Sequence, residues 1–442
     1  MSDPLGVDLE THVQRARLAR LVQPEGRVAE VVGMLVEVDG ISAAVGSQLE
    51  ACGLRDVVPL EVLGFRNGRV LAAPLGRTAG LAPGARVRQS PGASVAAVGP
   101  ALLGRIIDAF GHPLDGKPEP ICSAYAPLHA APPAPFSRRP ITEPMETGVR
   151  AIDALLPLGR GQRIGLFAGT GVGKSTLLGM LCRHTAADVI VVGLIGERGR
   201  EVGDFVRGAL GTEGMSRSVV VAATSDAPPF VRVRGALRAT AIAEHFRAEG
   251  KSVLLVMDSV TRYAMALREA SLAAGEPPLT KGYTPTVFAA LPALLERAGN
   301  GDGRGSITAI YTVLVEGDDL NDPIADAVRG IIDGHIVLSR KLADGGLFPA
   351  IDLLRSVSRL AGEISTPEHA RAAARARDLL ATYGDAADLI QIGAYVVGSD
   401  VQIDAARLAK PRIEALIRQG LKESVPRAAS IQALSAITQG AR

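Results

Sequence analysis

An α/β protein with a mainly parallel sheet, a small antiparallel β-barrel ahead of it and a helical bundle behind it is the architecture this 442-residue sequence predicts. Three observations carry that expectation. Short alternating apolar runs separated by turn signals fill residues 25–95. Near-continuous apolar runs alternate with helix-like segments across residues 146–365. Residues 366–442 are rich in Ala, Leu, Arg and Ile and hold no strand-like run. The expected division is a helical or partner-docking segment at 1–24, a barrel at 25–95, a central α/β domain at 96–365 and a helical domain at 366–442.

Composition narrows the class. With 47% hydrophobic and 21% charged residues the chain is globular. Only 3% of residues are aromatic and none is Trp, so the cores are aliphatic and no platform for stacking nucleic-acid bases is expected. A net charge of +2 leaves no electrostatic footprint for DNA or RNA. Cys52, Cys122 and Cys182 are far apart and lack metal-site spacing, as suits a reducing cytoplasm. No apolar run reaches eighteen residues and the amino terminus has no signal-peptide layout, so any membrane association is expected to be peripheral.

Along the chain, residues 1–24 mix Arg with Leu9, Val13, Leu18 and Leu21, a weak apolar stripe that suits a loose tail or a docking helix equally. In the barrel region, runs such as Gly33–Asp39 and Leu60–Gly64 are separated by Asp39-Gly40, Asn67-Gly68 and Pro83-Gly84. Residues 101–116 hold strand material and a closing turn, and the prolines between Ala130 and Pro144 give extended surface chain. Strands of the central sheet are expected at Arg163–Phe167, Val189–Ile195, Ser218–Ala223, Val253–Met257, Ser306–Val313 and His335–Leu338, with a helix over Val231–Ala248. Two further helical stretches open at Pro367 and near Gln402.

The chemistry gathers where these strands end. Ala168-Gly-Thr-Gly-Val-Gly-Lys-Ser175 lies between an apolar strand and the helix-like run that starts at Thr176. Strand, glycine-rich turn, Lys-Ser and helix form a phosphate-binding loop: backbone N–H groups of Ala168, Gly169, Thr170, Gly171, Val172 and Gly173 curl around phosphate oxygens, Lys174 reaches the β- and γ-phosphates, the Ser175 hydroxyl holds Mg²⁺, and Thr176 completes the nucleotide-binding set. Ala168 stands where the strict pattern has Gly, but only a small residue is needed there. Asp258 ends the apolar strand Val253–Met257; it either orients Mg²⁺ opposite Ser175 or caps the next helix. Glu197 follows Val191–Ile195 and either polarises an attacking water or belongs, with Arg198, to a solvated charged turn. Phe348 offers a flat face for adenine or is a core residue. Arg359 is either a finger on the γ-phosphate or a surface Arg. Val315–Pro323 reads as a switch loop or a polar turn before a helix that starts at Pro323.

Several blocks, in this order, resemble the hexameric RecA-like ATPases related to the rotary ATP synthase. They are Glu146-Thr-Gly-Val-Arg-Ala-Ile-Asp153, the phosphate loop, Ile195-Gly-Glu-Arg-Gly-Arg-Glu201, Met257-Asp-Ser-Val-Thr-Arg-Tyr263, Asp318-Asp-Leu-Asn-Asp-Pro323 and Val337-Leu-Ser-Arg340. Gly275–Ala289, Leu291–Gly299, Val315–Asp319 and Ile392–Asp400 resemble the type III protein-export ATPases, and Tyr263–Arg268 the flagellar branch of them. Thr284-Pro-Thr286 and Leu320 depart from that pattern outside the phosphate chemistry. The resemblance implies a RecA-like fold, ATP and Mg²⁺ as ligands, and a ring of six identical chains. It implies Glu197 as general base with Arg198 organising its site, Asp258 on the Mg²⁺ side, Phe348 stacking on adenine, and Arg359 supplied to the adjacent subunit. It implies a stator protein at residues 1–24, together with export gate proteins, chaperones and substrates, at the inner face of the cytoplasmic membrane. An injectisome ATPase and the catalytic subunit of a proton-driven ATP synthase are the alternatives within the resemblance. An RNA-translocating hexamer and a non-catalytic scaffold lie outside it.

Overall fold

The computed structural model describes residues 24–90, 94–315 and 321–440; the docking segment expected at 1–24, all but Pro24, and most of the acidic run at 315–323 lie outside the described residues. The chain divides between Ser94 and Val95 into two compact units. The first is a closed antiparallel barrel of strands Glu25–Val32, Leu35–Asp39, Gln48–Cys52, Val57–Arg66, Arg69–Pro74 and Arg86–Gln89. Its turn chemistry is explicit at Asn67-Gly68, where φ is 50° and 79°. A two-residue hairpin demands such left-handed values because they match the twist of the flanking strands. Period-two alternation sends Val36, Val38, Leu49, Leu60, Val62 and Val87 inside.

The second unit is built on a nine-stranded sheet. Its order is Ile351–Ser358, Gly334–Leu338, Arg163–Ala168, Ser306–Leu314, Ser252–Asp258, Val189–Ile195, Ser218–Ala223 and Arg105–Ile107, with the short Gly299–Asn300 paired to Ser306–Leu314. The inner strands are buried on both faces, which is why they read as unbroken Val, Ile and Leu runs. Ile351–Ser358 is a strand that the sequence does not announce. It runs antiparallel along the edge, and its charged and exposed residues break any apolar period. Lys174–His184, Pro229–Ala248 and Val260–Ala273 are among the helices that carry the chain between strands.

The carboxyl-terminal helices Pro367–Gln391, Val401–Ile417 and Arg427–Gln439 share one core with the sheet domain. Ala376, Leu379, Ile413 and Leu434 belong to the same buried cluster as Leu155, Leu166 and Leu178. The joint runs through Gly148. Asp153, fully buried, accepts hydrogen bonds from Thr147 N (3.0 Å), Thr147 Oγ1 (2.8 Å) and Gly148 N (3.0 Å). Burial nevertheless pushes its carboxyl up to about 6.

A side chain at position 148 has no room. Gly148 has φ of 71°, and a Cβ there would lie 2.6 Å from His184 Cβ and 2.7 Å from Ser424 Oγ. Gly148→Ala is therefore expected to lower unfolding stability by about 3 kcal/mol, the left-handed backbone and the overpacking adding together. Urea denaturation of the full chain measures it.

Candidate active site

Parallel register puts the ends of four strands at one level: Ala168 lies beside Leu314, Met257 beside Tyr311, and Leu194 beside Asp258. Ligands of such sheets bind beyond these carboxyl ends. The glycine-rich turn rises there, with φ of 78° at Gly171 and 93° at Gly173, and Gly173 caps the helix Lys174–His184. The positive end of that helix faces the turn. Gly169, Thr170, Gly171, Gly173, Lys174, Ser175 and Thr176 line an open cleft of about 350 Å³ with Glu197 and Arg198. Ala168 and Val172 are buried beneath it, and Ser175 is exposed to it.

At the cleft floor three charges meet. Lys174 Nζ lies 2.5 Å from Asp258 Oδ1 and 3.4 Å from Glu197 Oε1. Burial works against the ammonium, but the two carboxylates outweigh it and raise the Lys174 pKa. Burial also pushes the Glu197 carboxyl up to about 7, Lys174 pulling it down and Asp258 pushing it up. Glu197 is 8% exposed and Asp258 3%. Glu197 is thus no part of a solvated turn, although its neighbours are. Asp258 is not the cap of the following helix either, since Ser259 Oγ accepts from Arg262 N in that role. Asp258 Oδ1 takes both of its side-chain donors, Lys174 and Thr312, and Oδ2 takes none among the described residues. A free carboxylate oxygen and an exposed serine hydroxyl are the hard donors that suit a largely hydrated Mg²⁺.

The remaining sequence candidates divide. The Phe348 ring is 41% exposed and would lie 3.7 Å from a Cβ on Gly173, so it flanks the loop and is not a core residue. The Arg198 side chain is 80% exposed and pairs with Glu201 at 3.4 Å. Arg359 sits apart. It follows Ser358, which pairs with Gly334 at the amino end of its strand, whereas Ile351 pairs with Leu338 at the carboxyl end. The edge strand is bulged there, so the regular partner sets the separation: four steps from Leu338 to Gly334 at ~3.3 Å per residue place Arg359 roughly 13 Å below the level of the cleft. Its Nη2 donates to Arg329 O.

Residues 148–358 match the nucleotide-binding domain of the ATP synthase alpha/beta family, and residues 365–436 match the T3SS EscN ATPase C-terminal domain. The chain is 50% identical over 437 residues to the flagellum-specific ATP synthase of Pseudomonas aeruginosa, covering 98% of this chain and 97% of that one. It belongs to the flagellar and type III secretion ATPase family. The type 3 secretion system ATPase of Xanthomonas euvesicatoria is equally similar, 50% identical over 405 residues and 90% of each chain. The assembled EscN of enteropathogenic E. coli, solved with its central stalk EscO, superposes with a TM-score of 0.87 at 43% identity, over 93% of this chain and all of that one.

For this export-family ATPase the sequence left two contacts and one cleft residue unread. Thr312 Oγ1 donates to Asp258 Oδ1 at 2.7 Å from the middle of an apolar strand. Arg340 Nη2 donates to Thr170 O at 2.8 Å and tethers the loop. Arg262 lines the cleft, its Nε buried without a partner among the described residues. Only Arg340 and Arg262 lay inside blocks that could have drawn attention. Replacing Thr312 by Val removes one donor from a buried carboxylate of this ATPase and is expected to cost about 1–3 kcal/mol of stability, with Thr312→Ser recovering most of it. Thermal unfolding without nucleotide checks both.

Proposed function

We propose that this ATPase acts as one subunit of a ring of six identical copies that hydrolyses Mg·ATP at the base of a flagellar export gate, freeing export substrates from their chaperones. The observation that carries the ring is the position of Arg359, on the far end of the sheet from its own phosphate loop. A cation there serves the site of an adjacent copy. Lys174 and the loop N–H groups bind the β- and γ-phosphates, and the phosphates take over the ammonium that Asp258 and Glu197 now hold. Ser175 and Asp258 hold Mg²⁺, which when bound neutralises charge on the phosphate oxygens. Glu197 takes the proton of the attacking water, and the Phe348 ring stacks on adenine. Arg198, turned to solvent beside the cleft, helps organise that site from its rim.

Partners and placement follow the same reading. A stator protein docks at residues 1–24, and EscN, solved with its central stalk, is a relative that takes a further partner chain. In this reading the ring meets the cytoplasmic membrane peripherally, through the gate proteins; no helix among the described residues is long and apolar enough to cross a membrane. The Tyr263–Arg268 stretch favours the flagellar branch, whereas equal identity to both branches leaves an injectisome ring as the second reading. A pull-down from cell extract under ATP separates them: recovery of needle-complex components in place of flagellar ones would overturn the flagellar assignment.

Glu197→Gln is expected to lower turnover by about 100-fold or more while ATP still binds. Because burial raises the Glu197 pKa to about 7, the base is progressively protonated as pH falls through neutrality. Native kcat/KM should therefore decline on the acid side of about pH 7, and the Gln variant should lack that limb.

Arg359→Ala should bind ATP normally and lose roughly 1,000-fold in turnover. Mixing it with inactive Glu197→Gln chains should restore activity, because some sites then combine an intact Glu197 with a neighbour's Arg359. Full turnover by Arg359→Ala, or no recovery on mixing, would refute a finger supplied between copies.

A further inference from the structure

The block Glu146–Asp153 has no part in the phosphate chemistry, yet it ends in a dense set of buried polar contacts. At its centre is Gln419, 5% exposed, just beyond the helix Val401–Ile417. Gln419 Nε2 donates to Gly148 O and to Glu423 O, each at 2.7 Å, and Oε1 accepts from Arg150 N at 2.8 Å. Two carbonyls and one N–H therefore fix which way the amide points, and a carboxylate could not replace it. Gln419 N then donates to Phe348 O at 2.9 Å. Beside it, Arg418 Nη1 donates to Gly346 O at 2.6 Å. Arg150 closes the set, donating to Arg418 O at 2.8 Å and pairing with Glu423 at 2.6 Å. The loop that carries Phe348 is thus gripped at two carbonyls by the end of a carboxyl-terminal helix. That helix end is in turn locked to the segment that leads into the sheet domain.

We infer that Gln419 is a positioning residue for the base of the nucleotide, holding the Phe348 loop against the phosphate loop only while the carboxyl-terminal helices are seated. The inference rests on the stacking role proposed for Phe348. A half-exposed aromatic ring binds a base well only if its backbone is fixed beforehand, since ordering a loose loop subtracts from affinity. The phosphate loop has supports that do not pass through Gln419, namely Arg340 and its own strand and helix, and only the far end of that helix meets the carboxyl-terminal segment, through Arg183 Nη2 and Leu421 O (2.6 Å).

The test uses full-length Gln419→Met, which keeps the side-chain length and deletes its three hydrogen bonds. Calorimetric binding of ATP should weaken about tenfold, ~1.4 kcal/mol. Binding of inorganic tripolyphosphate, which has no base, should be unchanged, and KM for ATP should rise by more than kcat falls. Arg418→Ala, which removes only the side-chain grip on Gly346 O, should shift ATP binding in the same direction, and it carries the test if Gln419→Met does not fold. Equal losses for ATP and tripolyphosphate, or native ATP affinity in either variant, would overturn the inference. Phe348→Ala separates the two layers of argument. If it weakens ATP binding while Gln419→Met and Arg418→Ala do not, only the positioning role fails. If Phe348→Ala binds ATP as the native chain does, the stacking role fails and the inference with it.

Discussion

One buried ammonium governs the site. Lys174 lies at the floor of the cleft between Asp258 and Glu197, and neither carboxylate has more than about a tenth of its surface in water. Two carboxylates against one cation leave an uncompensated negative charge where desolvation makes it costly. The strain falls on Glu197, whose proton affinity rises until it titrates near neutrality. A triphosphate would deepen the deficit, so the site as it stands is short of positive charge. Arg262 on the cleft wall supplies some of it. A divalent cation at the free Asp258 oxygen and a guanidinium from outside the chain would supply the rest, and the distant position of Arg359 fits that need.

The deficit is tolerable only because the sheet holds every participant in register. Asp258, Glu197 and the glycine-rich turn come from three separate strands, and their separation is set by backbone pairing. Thr312 refines it from a fourth position, donating to the same Asp258 oxygen that Lys174 contacts and so leaving the other oxygen open. The continuous apolar strands have a functional consequence here: with both faces covered, no strand end can shift without disturbing close-packed neighbours.

How much of this could be read beforehand depended on whether a signal was local. The barrel strands, the central parallel strands and the helix starts at Pro323 and Pro367 each carry their cue within a few residues, as alternation, an unbroken apolar run or a capping residue. Lys174, Glu197 and Asp258 stand out because each follows directly on such a run. Ile351–Ser358 escaped notice because an edge strand in partial contact with solvent has no reason to be uniformly apolar. Thr312 is hidden in a run that reads as ordinary core. Gln419 meets its partner Arg150 across 269 positions, and nothing near it in sequence shows that a solitary glutamine will be enclosed on all sides.

That distant contact changes what the carboxyl-terminal helices are for. Their apolar residues merge with the core beneath the phosphate loop, so they are not a separate body attached by a linker. Their polar end at Arg418 and Gln419 grips the loop opposite the glycine-rich turn. A force that tilts these helices reaches the Phe348 loop directly through the backbone of Gln419, whereas it reaches the phosphate loop only along the helix Lys174–His184, whose far end bonds Leu421 O through Arg183. Movement of the helical layer would therefore loosen the base-facing side of the cleft first and leave Lys174 and its carboxylates in place. A partner pushing on those helices could in this way alter nucleotide retention without entering the catalytic site. The converse holds by linkage: a nucleotide that seats the Phe348 loop favours the seated position of the helices by the same free energy.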